Sequence, residues 1–289
     1  VMNDGTISNN STYKTSGQGS YGAGVYVADY ANASGGDTLF TAQPASFEMN
    51  GGKITGNTAL DYGGGLQSRS ILTFPQQSKK ITITINNGEI SGNKVTKGSG
   101  GAVAAFFSVT ELNIKDGTLT GNSAYQFGGG VFLYQATNVT ISGGTISENK
   151  ALRGGGGVCL FAGSEVKQTG GSVENNVANV GGGVYGGTYT MTGGIIKDNN
   201  NSLTETARRA AKGDGVFVGT AFNLGNDAEI STNNDVYLTA GDSISKEGRY
   251  INVISPYTGA STAKPIQIHS EDRTVENTEI GTQLVRYTT

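Results

Sequence analysis

The 289-residue chain has no tryptophan, one cysteine, one histidine and four prolines. A single cysteine cannot form an internal disulfide framework, and a single histidine excludes a histidine-rich metal site. Lysine and arginine number 20 against 23 acidic residues, so the basic surplus typical of nucleic-acid-binding proteins is missing. No apolar run approaches the roughly 18 residues of a membrane-spanning helix.

Glycine is the residue type in excess, with 47 copies against a usual share of about 7%. Much of the excess lies in two short motifs that alternate along the chain. The first reads small–Gly–x–aliphatic–x–x–Asn and ends at Asn10, Asn57, Asn93, Asn122, Asn149, Asn176, Asn199 and Asn233. The second is a glycine-rich triplet followed by an aliphatic residue, at Val25, Leu66, Val103, Val131, Val158, Val184 and Val216. The chain is therefore a repeat array.

The repeat length indicates the kind of array. Successive motif asparagines are separated by 47, 36, 29, 27, 27, 23 and 34 residues. The shorter spacings suit one coil of a β-solenoid with three short strands and three turns. Helical repeats are disfavoured because each glycine inside a helix costs about 1 kcal/mol.

Three columns of apolar residues are expected to face the interior. Alternating pairs such as Ile83-x-Ile85 before the first motif supply one column. The aliphatic residues of the two motifs supply the second and third. The sequence therefore predicts an all-β fold, a single-stranded parallel β-helix of about eight coils with three strands per coil, over residues 1–238.

The motif asparagines are expected to be structural. At each corner, an asparagine amide can hydrogen-bond to the turn backbone or to the asparagine of the next coil, which gives a stacked column. Glycine allows the chain to turn within two or three residues, since it reaches positive φ without steric cost.

The alternating GGGV and IxxN motifs resemble the repeats of chlamydial polymorphic outer-membrane proteins. They are still more similar to right-handed parallel β-helix surface proteins of other bacteria. The resemblance covers residues 1–238 but departs from the chlamydial form, which has Phe three residues before the Asn. It implies a right-handed helix and an extracellular or bacterial cell-surface adhesin. Its partners would be proteins or glycans of a host or neighbouring cell, and neither nucleic acid nor membrane insertion is expected.

The two ends of the chain differ from the repeats. The motifs stop after residue 238, and we expect residues 239–289 to form a small β-rich capping module of short antiparallel strands that covers the open core. The N-terminus starts inside a repeat. We therefore expect the rest of a larger surface protein on the N-terminal side, with a processed mature chain as the alternative.

Candidate binding residues lie on loops and on the outer face. Insertions at 28–46 and 67–80 leave the same corner of neighbouring coils, so they are expected to lie side by side and form a binding face. Near them lie Tyr30, Phe40, Phe74, Phe106 and Phe107. These aromatic residues either pack under the loops or face a ligand.

An outward column follows the aliphatic residue of the second motif. It reads Tyr26, Gln67, Ala104, Phe132, Cys159, Tyr185, Phe217 and Tyr237. Among these, Phe132, Tyr185 and Phe217 are candidates for stacking on sugars or anchoring a protein, although such a column can also pack only on itself. Arg208 and Arg209 either recognise an acidic glycan or lie solvated in a loop.

Catalysis is the competing interpretation, because pectate lyases and polygalacturonases share this fold. Glycoside hydrolysis needs two carboxylates about 5–9.5 Å apart. The outward Glu48 and Lys167 are separated by about four coils, or roughly 19 Å. Loop residues Asp29, Asp37 and Asp61 leave the enzyme alternative open.

We therefore predict no catalytic residue, metal or cofactor. The preferred interpretation is a non-catalytic adhesin head or stalk that binds through corner loops. The alternatives are a polysaccharide lyase or hydrolase and a simple glycan-binding module.

Overall fold

The computed structural model describes residues 1–13, 21–32, 41–70, 80–106, 110–135, 139–201, 213–231, 233–238, 251–257, 266–270 and 285–287. Within these ranges the chain is all-β and contains no helix. Twenty-two of the described strands form one large sheet, whose strands pair in parallel. The predicted all-β class and the parallel pairing are therefore confirmed.

The sheet consists of three ladders, each with one strand from successive repeats. The first ladder contains Ala45–Met49, Ile81–Ile85, Thr110–Ile114, Val139–Ile141, Ala221–Asn226, Ile251–Tyr257 and Val285–Tyr287. The second contains Thr6–Ser8, Lys53–Thr55, Glu89–Ser91, Thr118–Thr120, Thr145–Ser147 and Glu229–Ile230. The third contains Val25–Ala28, Leu66–Arg69, Val103–Phe106, Val131–Tyr134, Val216–Val218, Asp235–Leu238 and Gln267–Ser270.

Two long strands and two smaller sheets complete the described structure. Val158–Glu174 and Val184–Lys197 each run through the third, first and second ladders in turn. A separate parallel sheet contains Thr58–Ala59, Lys94–Val95, Ser123–Ala124 and Lys150–Ala151. Tyr30–Asn32 pairs in antiparallel with Thr41–Gln43.

Equivalent motif positions pair with one another from repeat to repeat. In the second ladder, Ile54 pairs with Ile90, which pairs with Leu119. In the third ladder, Val103 pairs with Val131. Because side chains alternate between the two faces of a strand, this register keeps every motif aliphatic residue on one face.

The core consists of these stacked apolar columns. Most of the motif aliphatic residues are fully buried, and one continuous cluster contains residues of all three ladders. Each fully buried Leu or Ile contributes about 1.5–3 kcal/mol. Gln168 is a polar exception in the first ladder, where it accepts a hydrogen bond of 2.8 Å from the hydroxyl of the buried Tyr189.

The asparagines form a hydrogen-bonded column beside the second ladder. Each side-chain oxygen accepts bonds from both the backbone N–H and the side-chain amide of the asparagine one repeat earlier. For example, Asn93 donates both bonds to Asn122 at 3.0 Å. The column runs through Asn10, Asn57, Asn93, Asn122, Asn149, Asn176, Asn199 and Asn234.

The last member of this column corrects the sequence-based prediction. Asn234, rather than Asn233, receives the bond from Asn199 at 2.9 Å, and Asn233 is exposed. Ile230 still pairs in register with Ile196. The extra residue is accommodated in a turn, where the Asn234 N–H bonds to the Ser231 carbonyl at 2.9 Å.

The glycine triplets serve two different physical needs. Gly128 has a φ of +64°, as a left-handed turn requires. A Cβ on Gly130 would lie 2.6 Å from the carbonyl oxygen of Gly157 in the next repeat. The second need, close backbone approach between repeats, was not part of the prediction.

The described C-terminal strands do not form an antiparallel cap. Ile251–Tyr257 pairs in parallel with the first-ladder strand before it, and Gln267–Ser270 pairs in parallel with Asp235–Leu238. The prediction of antiparallel strands is therefore wrong for these segments, because they continue the register of the existing ladders.

Candidate functional site

An aromatic groove lies on the outer face of the third ladder. It has a volume of about 470 Å³, within the size range of small-molecule sites. Its floor is part of the outward column, which is in register from Tyr26 to Tyr237. Of this column, Gln67 and Phe132 line the groove, and Ala104 and Cys159 occupy the positions next to Phe132 in register. All four are buried.

Two walls rise at fixed distances in sequence from the motif aliphatic residue. One wall comes three residues after it, where strand alternation again points outward. That wall contains Arg69, Phe106, Tyr134 and Phe161, which pair with one another in register. The other wall comes four residues before the aliphatic residue and contains Tyr21, Tyr62, Ser99 and Phe127.

The rings of the groove contact one another across its floor. The centroids of Tyr62 and Phe106 lie 4.7 Å apart in an edge-to-face arrangement, and those of Phe127 and Phe161 lie 4.8 Å apart in the same arrangement. The small residues Ala104 and Cys159 of the outward column pack in one apolar cluster with these rings. Edge-to-face contacts of this kind favour a defined arrangement of rings.

The aromatic column continues beyond the groove. Tyr185 stacks on Phe217 at 5.0 Å with an interplanar angle of 8°, and Phe217 stacks on Tyr237 at 5.6 Å. The rings therefore pack on one another along the outer face. Tyr185 and Phe217 are only partly buried, so their edges remain available to a ligand.

The polar side chains that line the groove include Gln67, Arg69, Ser99 and Gln126. The Gln67 side chain is fully buried, and neither its Oε1 nor its Nε2 has a hydrogen-bond partner among the residues that the structure describes. The Arg69 guanidinium lies over the ring of Tyr21, 4.8 Å from its centroid. A buried amide without partners is rare in folded proteins, since the lost hydration is not replaced.

Burial keeps two tyrosines and the cysteine of this outer face protonated at neutral pH. Burial raises the pKa of Tyr62 and of Tyr185 above the ordinary value, so both phenols remain neutral hydrogen-bond donors. Burial also raises the pKa of the Cys159 thiol. Because the thiolate is the nucleophilic form, this cysteine is poorly suited to catalysis.

The structure brings only some of the predicted binding residues together. Phe106 and Phe132 lie in the groove, with ring centroids 5.6 Å apart, and Tyr185 and Phe217 continue the column. The structure describes only the backbone of Tyr30, in the strand Tyr30–Asn32. The other candidates lie outside the described residues: Phe40, Phe74, Phe107, Arg208 and Arg209.

Of the residues in the two walls, the sequence analysis proposed only Phe106 as a binding residue. Tyr62, Tyr134 and Phe161 were not candidates, and Arg69 was not connected with the aromatic residues. A usable signal exists, because the two walls occupy constant offsets of −4 and +3 from the aliphatic residue of the second motif. Counting aromatic residues at each offset would have identified them.

Two of the acidic residues considered for catalysis are hydrogen-bonded within the fold, and Asp37 lies outside the described residues. Asp29 is buried and accepts a hydrogen bond of 2.7 Å from the Ser70 hydroxyl. Glu48 accepts one of 2.7 Å from the Asn86 amide. The described residues contain no cluster of three or more Asp, Glu, His or Cys side chains able to hold a metal ion.

In the described part of the chain, no helix has the length and apolar character needed to span a bilayer. Comparison with protein-family models, with curated proteins and with solved structures finds no significant match.

Proposed function

We propose that the chain forms a right-handed parallel β-helix with three strands per coil. Three in-register parallel ladders, three inward columns and one asparagine column support this architecture. The boundary between the repeat domain, 1–238, and a C-terminal module, 239–289, is part of the proposal. It rests on the end of the motifs.

The proposed function is non-catalytic binding of glycan by an adhesin-like module at a bacterial cell surface. The location and the adhesin role follow from the resemblance of the motifs to bacterial surface repeats. The ligand would come from a host or a neighbouring cell, and the module would be one part of a larger surface protein.

The aromatic groove is the observation that carries this proposal. Its rings stand at three constant offsets along the repeats, and a few polar residues, among them the buried Gln67, lie between them. Aromatic faces pack well against the C–H face of a sugar ring, while a few polar groups fix its orientation. A groove of about 470 Å³ suits a few sugar residues better than a folded protein surface.

Two partly exposed tyrosines allow a test of the groove that preserves the fold. Tyr134 lines the groove, and 37% of its surface is exposed. Tyr125 is 52% exposed and lies outside the groove. Because neither side chain belongs to the buried core, Tyr134→Ala and Tyr125→Ala should both fold, and they differ in their position relative to the groove.

The experiment is a glycan array followed by calorimetry on the bound glycan. Wild-type protein and the Tyr125 variant should bind alike, whereas Tyr134→Ala should weaken binding by about fivefold or more, as expected for loss of one ring contact of roughly 1 kcal/mol. An unchanged affinity of the Tyr134 variant would refute the groove as the site. Release of reducing ends or unsaturated sugars would refute a non-catalytic function.

A further inference from the structure

Gln67 is the least explained residue of the groove. Its carboxamide is fully buried at the floor, yet within the described part of the chain both of its polar atoms lack hydrogen-bond partners. A leucine of similar size would fill the same space without that unfavourable desolvation. Folding alone therefore does not favour glutamine here, and sites that sacrifice stability in this way are typical of functional surfaces.

The two unsatisfied atoms together specify a ligand chemistry. Oε1 can accept up to two hydrogen bonds, and Nε2 can donate two. A pair of neighbouring hydroxyl groups, one acting as donor and the other as acceptor, matches this carboxamide. The rings of Tyr62 and Phe106 beside it offer an apolar surface for the same sugar ring.

The charges around the groove are balanced. Arg69 lies in the wall, and Arg153 lies over the ring of Phe127 at 5.9 Å from its centroid. Asp29 follows Ala28, which pairs with Arg69, and Asp61 directly precedes Tyr62. Among these described residues at and beside the groove, two cations are matched by two carboxylates, so they supply no excess of positive charge to attract an acidic sugar.

We infer that the groove selects uncharged glycans, with adjacent hydroxyls of a neutral pyranose bound by the Gln67 carboxamide and the sugar ring stacked on the aromatic residues of the groove. This inference rests on the proposed function, since it names the glycan class for the same groove. Both atoms of the carboxamide are closed to solvent. Binding therefore includes rotamer changes of the flanking side chains, as is common at interfaces.

The test combines stability and affinity in the same variants. Gln67→Leu should keep or raise the melting temperature, since it removes the unsatisfied amide. The same change should weaken binding of a neutral oligosaccharide by about tenfold or more, as expected for two lost hydrogen bonds. Gln67→Met, which keeps the shape of an unbranched chain, should behave in the same way.

Matched glycan panels separate this inference from the proposed function. Wild-type protein is titrated with neutral oligosaccharides and with uronic-acid oligosaccharides of equal length, with Tyr134→Ala as the reference for the groove. If Tyr134→Ala loses binding while the Gln67 variants retain it, or if acidic sugars bind more tightly, the inference fails and the groove remains the site. If a Gln67 variant has a lower melting temperature, the Gln67 amide stabilises the fold, and the inference that it is kept for binding is also overturned. If Tyr134→Ala binds like wild type, the proposed site itself fails.

Discussion

Replacing Asn122 by alanine tests whether the asparagine column holds the repeats together. Asn122 is fully buried in the middle of the column. Its Nδ2 donates to the Ile90 carbonyl at 2.9 Å, to the Thr120 carbonyl at 3.1 Å and to Asn149 Oδ1 at 3.0 Å. Its Oδ1 accepts two bonds of 3.0 Å from Asn93, one from the backbone N–H and one from the side chain.

The size of the effect follows from which groups lose their partners. In Asn122→Ala, the buried Asn93 N–H has no acceptor in place of Oδ1, which costs about 1–3 kcal/mol. The other four bonds contribute about 0.5–1.5 kcal/mol each, although several of their partners keep another bond. Asn149 Oδ1, for example, still accepts from the backbone N–H at position 122. We therefore expect a loss of at least about 3 kcal/mol in the free energy of unfolding.

Asn10→Ala is the matched control, because Asn10 has the same motif position at the exposed end of the column. Its side chain makes one bond along the column, 2.9 Å long, to Asn57 Oδ1, and its backbone N–H bond to the same atom survives the change. The expected cost is below about 1 kcal/mol. Urea unfolding followed by far-UV circular dichroism measures both variants, and equal m-values justify the comparison. Losses that differ by less than about 1 kcal/mol would refute the column as a stabilising element.

Three further predictions concern single residues. Gly130→Ala should cost at least about 2 kcal/mol in urea unfolding, because its Cβ would lie 2.6 Å from the Gly157 carbonyl oxygen. Gly92 has a φ of +59°, and a Cβ added there would have no atom nearer than 4.0 Å, so Gly92→Ala should cost only about 1–2 kcal/mol of backbone strain. A larger loss of stability in Gly92→Ala than in Gly130→Ala would contradict the argument from close backbone approach. Glu148 occupies the equivalent position in another repeat with a φ of 56°. Because glycine adopts this conformation without strain, Glu148→Gly should raise the free energy of unfolding by about 0.5–1 kcal/mol. A lower melting temperature of this variant would contradict the prediction. Burial raises the pKa of Tyr189, so its phenol stays protonated in the fold while the unfolded chain ionises above about pH 10. Stability should therefore fall as the pH rises past that value, by about 1.4 kcal/mol per pH unit, and the slope should be smaller by that amount in Tyr189→Phe.

The sequence determined the parts of the fold that depend on local pattern. Whether Ile90, Leu119 or Val131 faces inward follows from strand alternation and the motif position, and all three are buried. The asparagine column was also predictable, since a corner asparagine at a constant offset must meet its equivalents once the repeats stack. These features repeat with the chain, so each copy strengthens the prediction.

Only the tertiary structure decided features that depend on contacts between repeats. The last column member is Asn234 because a turn accommodates one extra residue, and the close approach of Gly130 to Gly157 depends on how tightly the repeats stack. The C-terminal strands pair in parallel because the preceding ladders offer free edges in register.

The candidate site was likewise predictable from the sequence only in part. Phe106 and Phe132 were found as outward aromatic residues, but the groove also needs Tyr62 from the opposite wall. The ring of Tyr62 meets that of Phe106, which lies 44 positions later in the sequence. Alternation gives the face of a side chain within its own strand. Which rings meet across that face depends on how strands far apart in sequence are stacked, and that information exists only in the folded chain.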